Sequence, residues 1–367
     1  MVGGNSMHDL ADQDVTAFQF YGSWREYAPI AFTNLLLTIV TLGFYRFWAT
    51  TRSRRYLWGQ TRFIDERLEW TGTGKELFIG FIFAVILFGV PLFMLSFGLQ
   101  ALAFRGYVAV AAMLTLPMYG MLLYVFGLAR FRALRYRLSR TYWHGIRGGS
   151  HSAGWRYGWS WVWKSVVGGF FFGLMLPWSM CELWNERWNS MSFGPHEFTS
   201  GAQHGPVLKR LLLCYALGLI LIIAAFSIIG MLVATIAPAL PAQPTSAAQI
   251  LIQLIPLVAL APALGVCYVT YYAVFMRQAI GHLALAHIDF DFTARTKNWL
   301  ALFLGDIALV IGTLGIGFIF LNYRHWKFFI TYLEARGEID LATLTQSETR
   351  ELNQGEGLLD AFDVGAI

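Results

Sequence analysis

Three long stretches without a charged side chain limit what this chain can fold into. No Asp, Glu, Lys or Arg occurs from Leu77 to Phe104, from Gly106 to Ala129 or from Leu211 to Met276. About 20 apolar residues make a helix long enough to cross a bilayer. Of the 367 residues, 56% are hydrophobic and 13% are charged, whereas about a quarter of a soluble domain is charged. The sequence therefore predicts an all-α polytopic membrane protein.

The apolar segments fall into two classes. Four long segments predict two transmembrane hairpins, and they lie at 77–101, 106–129, 208–237 and 251–276. Three shorter segments are interrupted by glycine in their second halves, and they lie at 27–48, 157–180 and 299–321. Glycine weakens a helix interior, although membrane spans tolerate it. Each short segment is expected either to span the membrane or to re-enter on the side from which it came, and re-entry is slightly favoured.

The distribution of arginine predicts the orientation. Residues 46–75 contain seven basic residues, and residues 129–157 contain seven arginines and no acidic residue. Basic loops stay in the cytoplasm, so both segments are expected on that side. The arginines expected to contact anionic lipid head groups there are Arg52, Arg54, Arg55, Arg130, Arg132, Arg135, Arg137 and Arg140. Membrane lipids are thus the expected partners, and the net charge of +5 gives no indication of nucleic-acid binding.

The short segments also align with one another. A shift of 130 residues places Asn34 on Lys164 and Gly43 on Gly173, and a shift of 272 places Thr41–Gly43 on Thr313–Gly315. This correspondence predicts a degenerate internal repeat. The expected organisation is a polar N-terminal segment (1–20), a first unit (21–154), a second unit (155–296), a partial third unit (297–333) and an acidic C-terminal tail (334–367).

One motif carries a resemblance to a known family. The stretch "NLLLTIVTLGFYRFWATTRSRRY" fits a block whose matching residues are Asn34, Leu36, Leu37, Thr38, Thr41, Leu42, Gly43, Tyr45, Trp48, Ala49, Arg52 and Tyr56. The block resembles the repeated motif of the YjgN-type family of bacterial inner-membrane proteins. The third segment departs from it, with Asp306 where the family favours Asn. The resemblance implies a multi-pass protein of the bacterial inner membrane and implies no particular activity.

Three polar residues occupy equivalent positions in the short segments. Asn34, Lys164 and Asp306 are expected to form a polar intramembrane cluster, in which Lys164 and Asp306 pair and Asn34 adds hydrogen bonds. Polar groups inside apolar segments often mark a substrate or ion path. They also serve as structural pairs between helices, and a lysine near a segment end can extend its amine to the interface. The sequence leaves these alternatives open.

No catalytic, metal or cofactor motif is recognised. "TGTGKE" at Thr71–Glu76 lacks the first glycine and the final Ser or Thr of a phosphate-binding loop. Cys181, Cys214 and Cys267 are widely spaced, which predicts neither a disulfide framework nor a thiolate metal site. No feature favours an enzyme. The acidic tail is a possible contact for a protein partner, and the sequence does not indicate an oligomeric state.

Two function classes remain after these exclusions. A membrane scaffold or accessory subunit accounts for the basic cytoplasmic interface and the absence of catalytic motifs. A small-solute or ion transporter or channel accounts for the repeat, the interrupted segments and the intramembrane charges. The scaffold is the preferred hypothesis, and transport is the alternative.

Overall fold

Long helices alternate along the chain with pairs of short helices. The computed structural model describes residues 17–236, 246–337, 345–347 and 349. Most of the predicted acidic tail lies outside the described residues, as do residues 1–16 and 237–245.

The long helices occur where the uncharged stretches predicted them. Helix α3 (Gly74–Ala84) continues through a π-helical turn (Val85–Gly89) into α4 (Val90–Phe104), which packs on α5 (Val108–Arg140). The π turn lies just before Pro91, whose ring nitrogen cannot donate the hydrogen bond of a regular helix. Helices α8 (His204–Ile236) and α9 (Ser246–Ile280) pack together in the same way.

Three helices in the described part of the chain are long and apolar enough to cross a membrane. They cover Gly74–Phe104, Val108–Arg140 and His204–Ile228. Very little of their apolar surface is covered by other parts of the protein. An apolar helix surface that stays uncovered is stable in lipid but not in water, so these helices support a membrane protein.

Each short segment is a pair of helices rather than one helix. The pairs are α1 (Trp24–Val40) with α2 (Arg46–Gly59), α6 (Trp155–Gly173) with α7 (Leu176–Trp188), and α10 (Thr296–Gly312) with α11 (Leu321–Tyr332), which a 3₁₀ turn (Ile316–Phe320) precedes.

The turn inside each pair has a left-handed backbone. Each turn contains a short run of residues with positive φ, and the last residue of the run is a glycine. These glycines are Gly43 (φ 91°), Gly173 (φ 81°) and Gly315 (φ 93°). Glycine adopts this conformation without the steric cost that a Cβ atom adds. The glycines that interrupt the short segments therefore reverse the chain direction, because the helices on either side of each turn contact one another.

The structure also contains β-sheet, so the expectation of an all-α protein was wrong. The eleven strands among the described residues are β1 (Phe18–Phe20), β2 (Thr61–Phe63), β3 (Glu66–Arg67), β4 (Glu69–Trp70), β5 (Thr141–Trp143), β6 (Ile146–Gly149), β7 (Ser192–Phe193), β8 (His196–Ser200), β9 (Leu283–Leu285), β10 (Ile288–Phe292) and β11 (Leu333–Arg336). Strands β1–β3 form one antiparallel sheet, and β4–β11 form a second antiparallel sheet in which sequence neighbours pair. Strands of two to five residues are too short to show a clear alternation of polar and apolar residues.

Aromatic side chains connect the first and last helix pairs. Trp58 of α2 stacks on Trp326 of α11 with a centroid separation of 4.0 Å. Their indole N–H groups donate to Thr141 Oγ1 and Thr61 Oγ1, each at 2.9 Å. This contact joins α2 to α11, and neither indole N–H is left without a hydrogen-bond acceptor.

A described part of the C-terminal tail lies against strand β6. Arg147 of β6 donates to the Thr349 hydroxyl at 3.3 Å and to the Thr349 carbonyl. Gln346 donates from its amide to the Gly145 carbonyl at 3.0 Å. These residues of the predicted acidic tail are therefore attached to the sheet.

Candidate functional site

A cavity of about 720 Å³ lies among α7, α8 and α9, with α5 and α6 on one side. Its volume is within the range of pockets that hold one small organic ligand. The α9 wall includes Leu264, Tyr268, Tyr271 and Phe275. Residues spaced by three or four positions lie on one face of a helix, so a single face of α9 forms this wall.

One of the charged side chains that line this cavity is Arg187 of α7, which is only 3% exposed. Its guanidinium carbon lies 5.3 Å from the centre of the Trp184 ring. Its Nε atom is buried and has no hydrogen-bond partner among the described residues. Within the described part of the chain, no carboxylate forms an ion pair with Arg187. A buried charge normally has a charged or hydrogen-bonding partner, so this guanidinium is an exception.

A second arginine, Arg130 of α5, lies at the same cavity. Its guanidinium carbon is 5.2 Å from the Trp161 ring centre, and its Nε atom has no hydrogen-bond partner in the described part of the chain. No Asp or Glu is among the described residues that line the cavity. The walls are therefore apolar and aromatic, while the charge inside is positive.

Burial also affects the acidity of Arg187. Burial, foremost, together with the positive charges of Arg130 and Arg137, lowers the pKa of the Arg187 guanidinium to about 10. The group thus remains protonated at neutral pH. The cavity retains its positive charge under physiological conditions and can attract an anion.

The two ends of the cavity differ in exposure. At one end, Arg187 and the neighbouring Met276 are buried. At the other end, Leu264 is 56% exposed and Tyr268 is 62% exposed. Tyr215, also exposed, lies on α8 within the candidate membrane span His204–Ile228. The open end of the cavity thus lies along a helix surface suited to lipid.

Sequence reasoning did not identify Arg187 as a site residue. Arg187 is one of three basic residues in Cys181–Arg210, and that segment also contains three acidic residues, so Arg187 does not stand out in the sequence. The available signal was local, since Arg187 follows Trp184 by three positions and directly precedes Trp188. Residues three positions apart are neighbours on a helix surface. The absence of an acidic partner depends on the tertiary structure and has no local signature.

The three polar residues predicted as a cluster are all buried, at 7% or 8% exposure. Asn34 donates to Ala49 O and Ser53 Oγ of α2, each at 3.2 Å. Lys164 Nζ lies 2.9 Å from Glu186 Oε2 and 3.7 Å from Glu182 Oε2, both on α7. Each polar group thus has partners in the second helix of its own pair.

Asp306 of α10 follows the same rule. Its two carboxylate oxygens accept hydrogen bonds from Arg324 Nε and His325 Nε2 of α11, each at 2.6 Å. Lys164 and Asp306 therefore have partners other than each other, which differs from the pairing that the sequence suggested. The grouping of Asn34, Lys164 and Asp306 into one intramembrane site stays a prediction.

The arginines predicted to contact lipid head groups have different environments. Arg52 and Arg55 are exposed on α2, whereas Arg54 is buried with its guanidinium carbon 5.1 Å from the Trp70 ring centre. Arg132 donates to Ala153 O at 3.3 Å, and Arg140 pairs with Glu76 at 3.2 Å. The remaining members of the set, Arg130, Arg135 and Arg137, are half-buried. Contact with head groups stays a prediction for the whole set.

Comparison with known proteins identifies relatives that share part of the sequence. The inner membrane protein YjgN of Salmonella typhimurium (strain LT2) is 26% identical over 145 residues, which are 40% of this chain and 34% of that protein. The protein of the same name from Escherichia coli (strain K12) is 35% identical over 72 residues, or 20% of this chain and 18% of that protein. The chain thus matches about a third or less of the length of these relatives. No solved structure matches the chain.

A family model covers far more of the sequence than these relatives do. The model is described as a bacterial protein of unknown function (DUF898), and it matches residues 15–361. The resemblance to YjgN-type proteins is confirmed, because the relatives carry that name. Since the match extends over most of its length, the chain belongs to the bacterial DUF898 family.

Proposed function

We propose that this chain is a bacterial inner-membrane protein that binds an anionic ligand between Arg187 and Arg130. The observation that carries the proposal is Arg187, a buried guanidinium that lies in the wall of a cavity and forms no ion pair with any acidic residue of the described structure. A buried, unpaired charge costs several kcal/mol of stability unless something compensates it. An anionic ligand supplies that compensation through charge-assisted hydrogen bonds.

The arrangement in the membrane follows from the short helix pairs, which we propose are re-entrant. The residues at their turns are almost fully exposed and apolar, with Leu42 at 91%, Phe172 at 95% and Leu314 at 94%. Exposed apolar tips on antiparallel helix pairs are suited to insertion into lipid. The long helices then form two hairpins that cross the membrane, and the sheets lie on the cytoplasmic side with the arginine-rich segments.

The internal repeat belongs to the same proposal. The exposed turn residues Leu42, Phe172 and Leu314 are separated by the shifts of 130 and 272 residues that align the sequence. The positive-φ glycines that follow them keep the same spacing. Equal backbone conformation at equal spacing supports three related helix pairs. Membrane transport proteins often place a ligand site beside such repeated, interrupted elements.

A membrane scaffold is the second candidate function. The observation in its favour is the exposure of Arg52 and Arg55 on α2, in a segment expected at the cytoplasmic leaflet. A basic side chain near anionic lipid contributes on the order of 1 kcal/mol to membrane association. In this function the anionic head groups bind at the surface, and Arg187 has no direct role.

Co-purification tests the proposal. The full chain is purified in a neutral detergent, and the bound small molecules are identified by native mass spectrometry. We expect wild-type protein to retain an anionic molecule that Arg187→Gln loses. The matched control is Arg25→Gln, since Arg25 also lies over a tryptophan ring, 5.7 Å from Trp24, but is exposed.

The outcomes separate the two functions. Loss of the anion from Arg187→Gln alone supports ligand binding in the cavity. Loss of bound lipid from Arg52→Gln combined with Arg55→Gln, with Arg187→Gln unchanged, favours the scaffold and contradicts the cavity site. The thermal unfolding midpoint of each variant shows whether it is folded.

A further inference from the structure

The route to Arg187 distinguishes between kinds of anion. Arg187 lies at the closed end of the cavity, where Met276 is 1% exposed and Trp184 and Phe275 are also buried. Its open end is formed by Leu264, Tyr268 and Tyr215. A ligand approaching from the open end therefore meets apolar and aromatic side chains before it reaches the guanidinium.

The length of this route matches one leaflet of a membrane. Leu176 lies at the start of α7, next to the exposed turn of its helix pair, and lines the same cavity as Arg187. The two residues are about 16 Å apart along the helix at 1.5 Å per residue. The hydrocarbon core of a bilayer is about 30 Å thick, so half of it is about 15 Å. The cavity is thus about as long as a single acyl layer is deep.

A water-soluble anion is poorly suited to such a route. Moving an ion from water into an apolar environment costs many kcal/mol when no partner accompanies it. An amphiphile avoids this cost because its apolar chain already lies in the bilayer and its charged head lies near the interface. The positively charged end of the cavity suits the charged head of such a molecule, and the apolar open end suits its chain.

Resting on the proposed function, we infer that the ligand is a membrane amphiphile with a carboxylate or phosphate head, and that it enters the cavity sideways from the bilayer. The head lies between Arg187 and Arg130, where guanidinium groups can donate paired hydrogen bonds to two oxygens. The apolar chain lies along Tyr268 and Leu264 and extends towards lipid. Carboxylate and phosphate share the chemistry that the arginines recognise.

Matched probes test the chemical class of the ligand. The full chain in neutral detergent is heated with hexadecanoate, hexadecyl phosphate, hexadecanol, acetate or inorganic phosphate. We expect at least one of the two anionic amphiphiles to raise the unfolding midpoint by several degrees, and the other three probes to leave it unchanged. Comparison of the two amphiphiles shows whether the head is a carboxylate or a phosphate.

Variants show whether the effect acts through the cavity. Arg187→Gln is expected to raise the amphiphile concentration needed for half of the effect at least tenfold, whereas Arg25→Gln leaves it unchanged. A midpoint for ligand-free Arg187→Gln near that of wild type shows that the variant is folded. An equal effect of hexadecanol would overturn recognition of the head group.

The lateral route has its own test. Leu264→Trp narrows the open end, and it is expected to slow association of a fluorescent fatty acid several-fold. Leu219→Trp is the control, because Leu219 is an exposed residue of α8 that does not line the cavity. Association as fast in Leu264→Trp as in Leu219→Trp would contradict entry at this end.

The outcomes for the ligand class and for the proposed function can be distinguished. Protection by acetate or inorganic phosphate that depends on Arg187, without protection by either amphiphile, overturns the amphiphile and leaves anion binding supported. If no probe acts through Arg187 and the purified protein carries no anion, the proposed function fails as well.

Discussion

Helix pair α10–α11 and helix α7 each contain a buried charge, and the two charges differ in whether the described residues supply a partner of opposite charge. Asp306 on α10 has both carboxylate oxygens engaged, one by Arg324 and one by His325. Arg187 on α7 is buried to a similar degree, but among the described residues its guanidinium lies beside an aromatic ring and has no carboxylate partner. Both elements belong to short helix pairs of the same form, so the difference does not arise from the local architecture.

This difference separates charges that hold the fold together from a charge that is available to a ligand. A buried ion pair is costly to break because the remaining partner loses its compensation. A buried charge without a partner already destabilises the ligand-free protein, so removing that charge does not lower the free energy of unfolding further. The two kinds of charge therefore predict opposite responses to mutation, and the following measurements test this contrast.

The largest effect is expected at the paired charge of α10. Asp306→Leu leaves Arg324 and His325 without their acceptor and should lower the free energy of unfolding by about 2–3 kcal/mol. This value is below the usual 3–5 kcal/mol because both cationic side chains are about a third exposed. Thermal unfolding in detergent measures the loss. Asp289→Ala, at an exposed carboxylate of β10, is the control, and an equal loss there would contradict a special role for Asp306.

The ion pair of α6 and α7 should show a smaller effect. Lys164→Met is expected to cost about 1–2 kcal/mol, since Glu186 is already 32% exposed and can be partly hydrated. The double variant Lys164→Met with Glu186→Leu should recover much of that loss, because both charges are then absent. Unfolding midpoints of the two single variants and the double variant give the coupling. Additive losses would show that Lys164 and Glu186 act independently.

Arg187 should behave differently from both. In ligand-free protein, Arg187→Met is expected to raise the free energy of unfolding by about 0–2 kcal/mol. Loss of the contact with Trp184 is offset by removal of an unpaired buried charge. The comparison with Asp306→Leu, measured in the same detergent, is the test. A loss of several kcal/mol in Arg187→Met would show that Arg187 has a structural partner and would remove the contrast.

The smallest effect is expected for an exposed pair that lies outside the candidate membrane-spanning helices. His144 Nε2 lies 2.9 Å from Asp65 Oδ1, and this hydrogen bond lowers the pKa of Asp65 below its ordinary value of 3.8. The resulting stabilisation is present above the unfolded-state pKa and is lost as pH falls through the lower folded-state pKa. Exposed pairs contribute about 0–1 kcal/mol. The midpoint difference between wild type and Asp65→Asn should therefore be small at pH 6 and absent near pH 2.

Much of the helical layout could be predicted from the sequence. From Val108 onwards the predicted segment 106–129 lies in α5, and 208–237 nearly coincides with α8, because long runs of apolar residues have few alternatives to a helix in lipid. The glycine at position 43 indicated an interruption, and the structure has a left-handed turn there. Strands such as β7 (Ser192–Phe193) were missed, since two residues carry no periodic signal.

The candidate site was predicted less well. Asn34, Lys164 and Asp306 are all buried, while their placement at equivalent levels of a repeat stays a prediction. Their partners were not predicted, because a sequence pattern shows that a polar residue needs a partner without showing which one it has. Arg187 was missed for the complementary reason, since only the folded arrangement shows that no acidic residue of the described structure pairs with it.

The sequence by itself determined that this protein lies in a membrane, and it determined the main helices and turns. Uncharged stretches of more than 20 residues require a membrane, and the left-handed turns require residues such as Gly43 and Gly315. Only the tertiary structure decided how the charges are used. Pairing depends on distances of a few ångströms between side chains on two different helices, and electrostatic energy in a poorly polarisable interior changes steeply over such distances. Asp306 therefore stabilises the fold, whereas Arg187 is left facing a cavity.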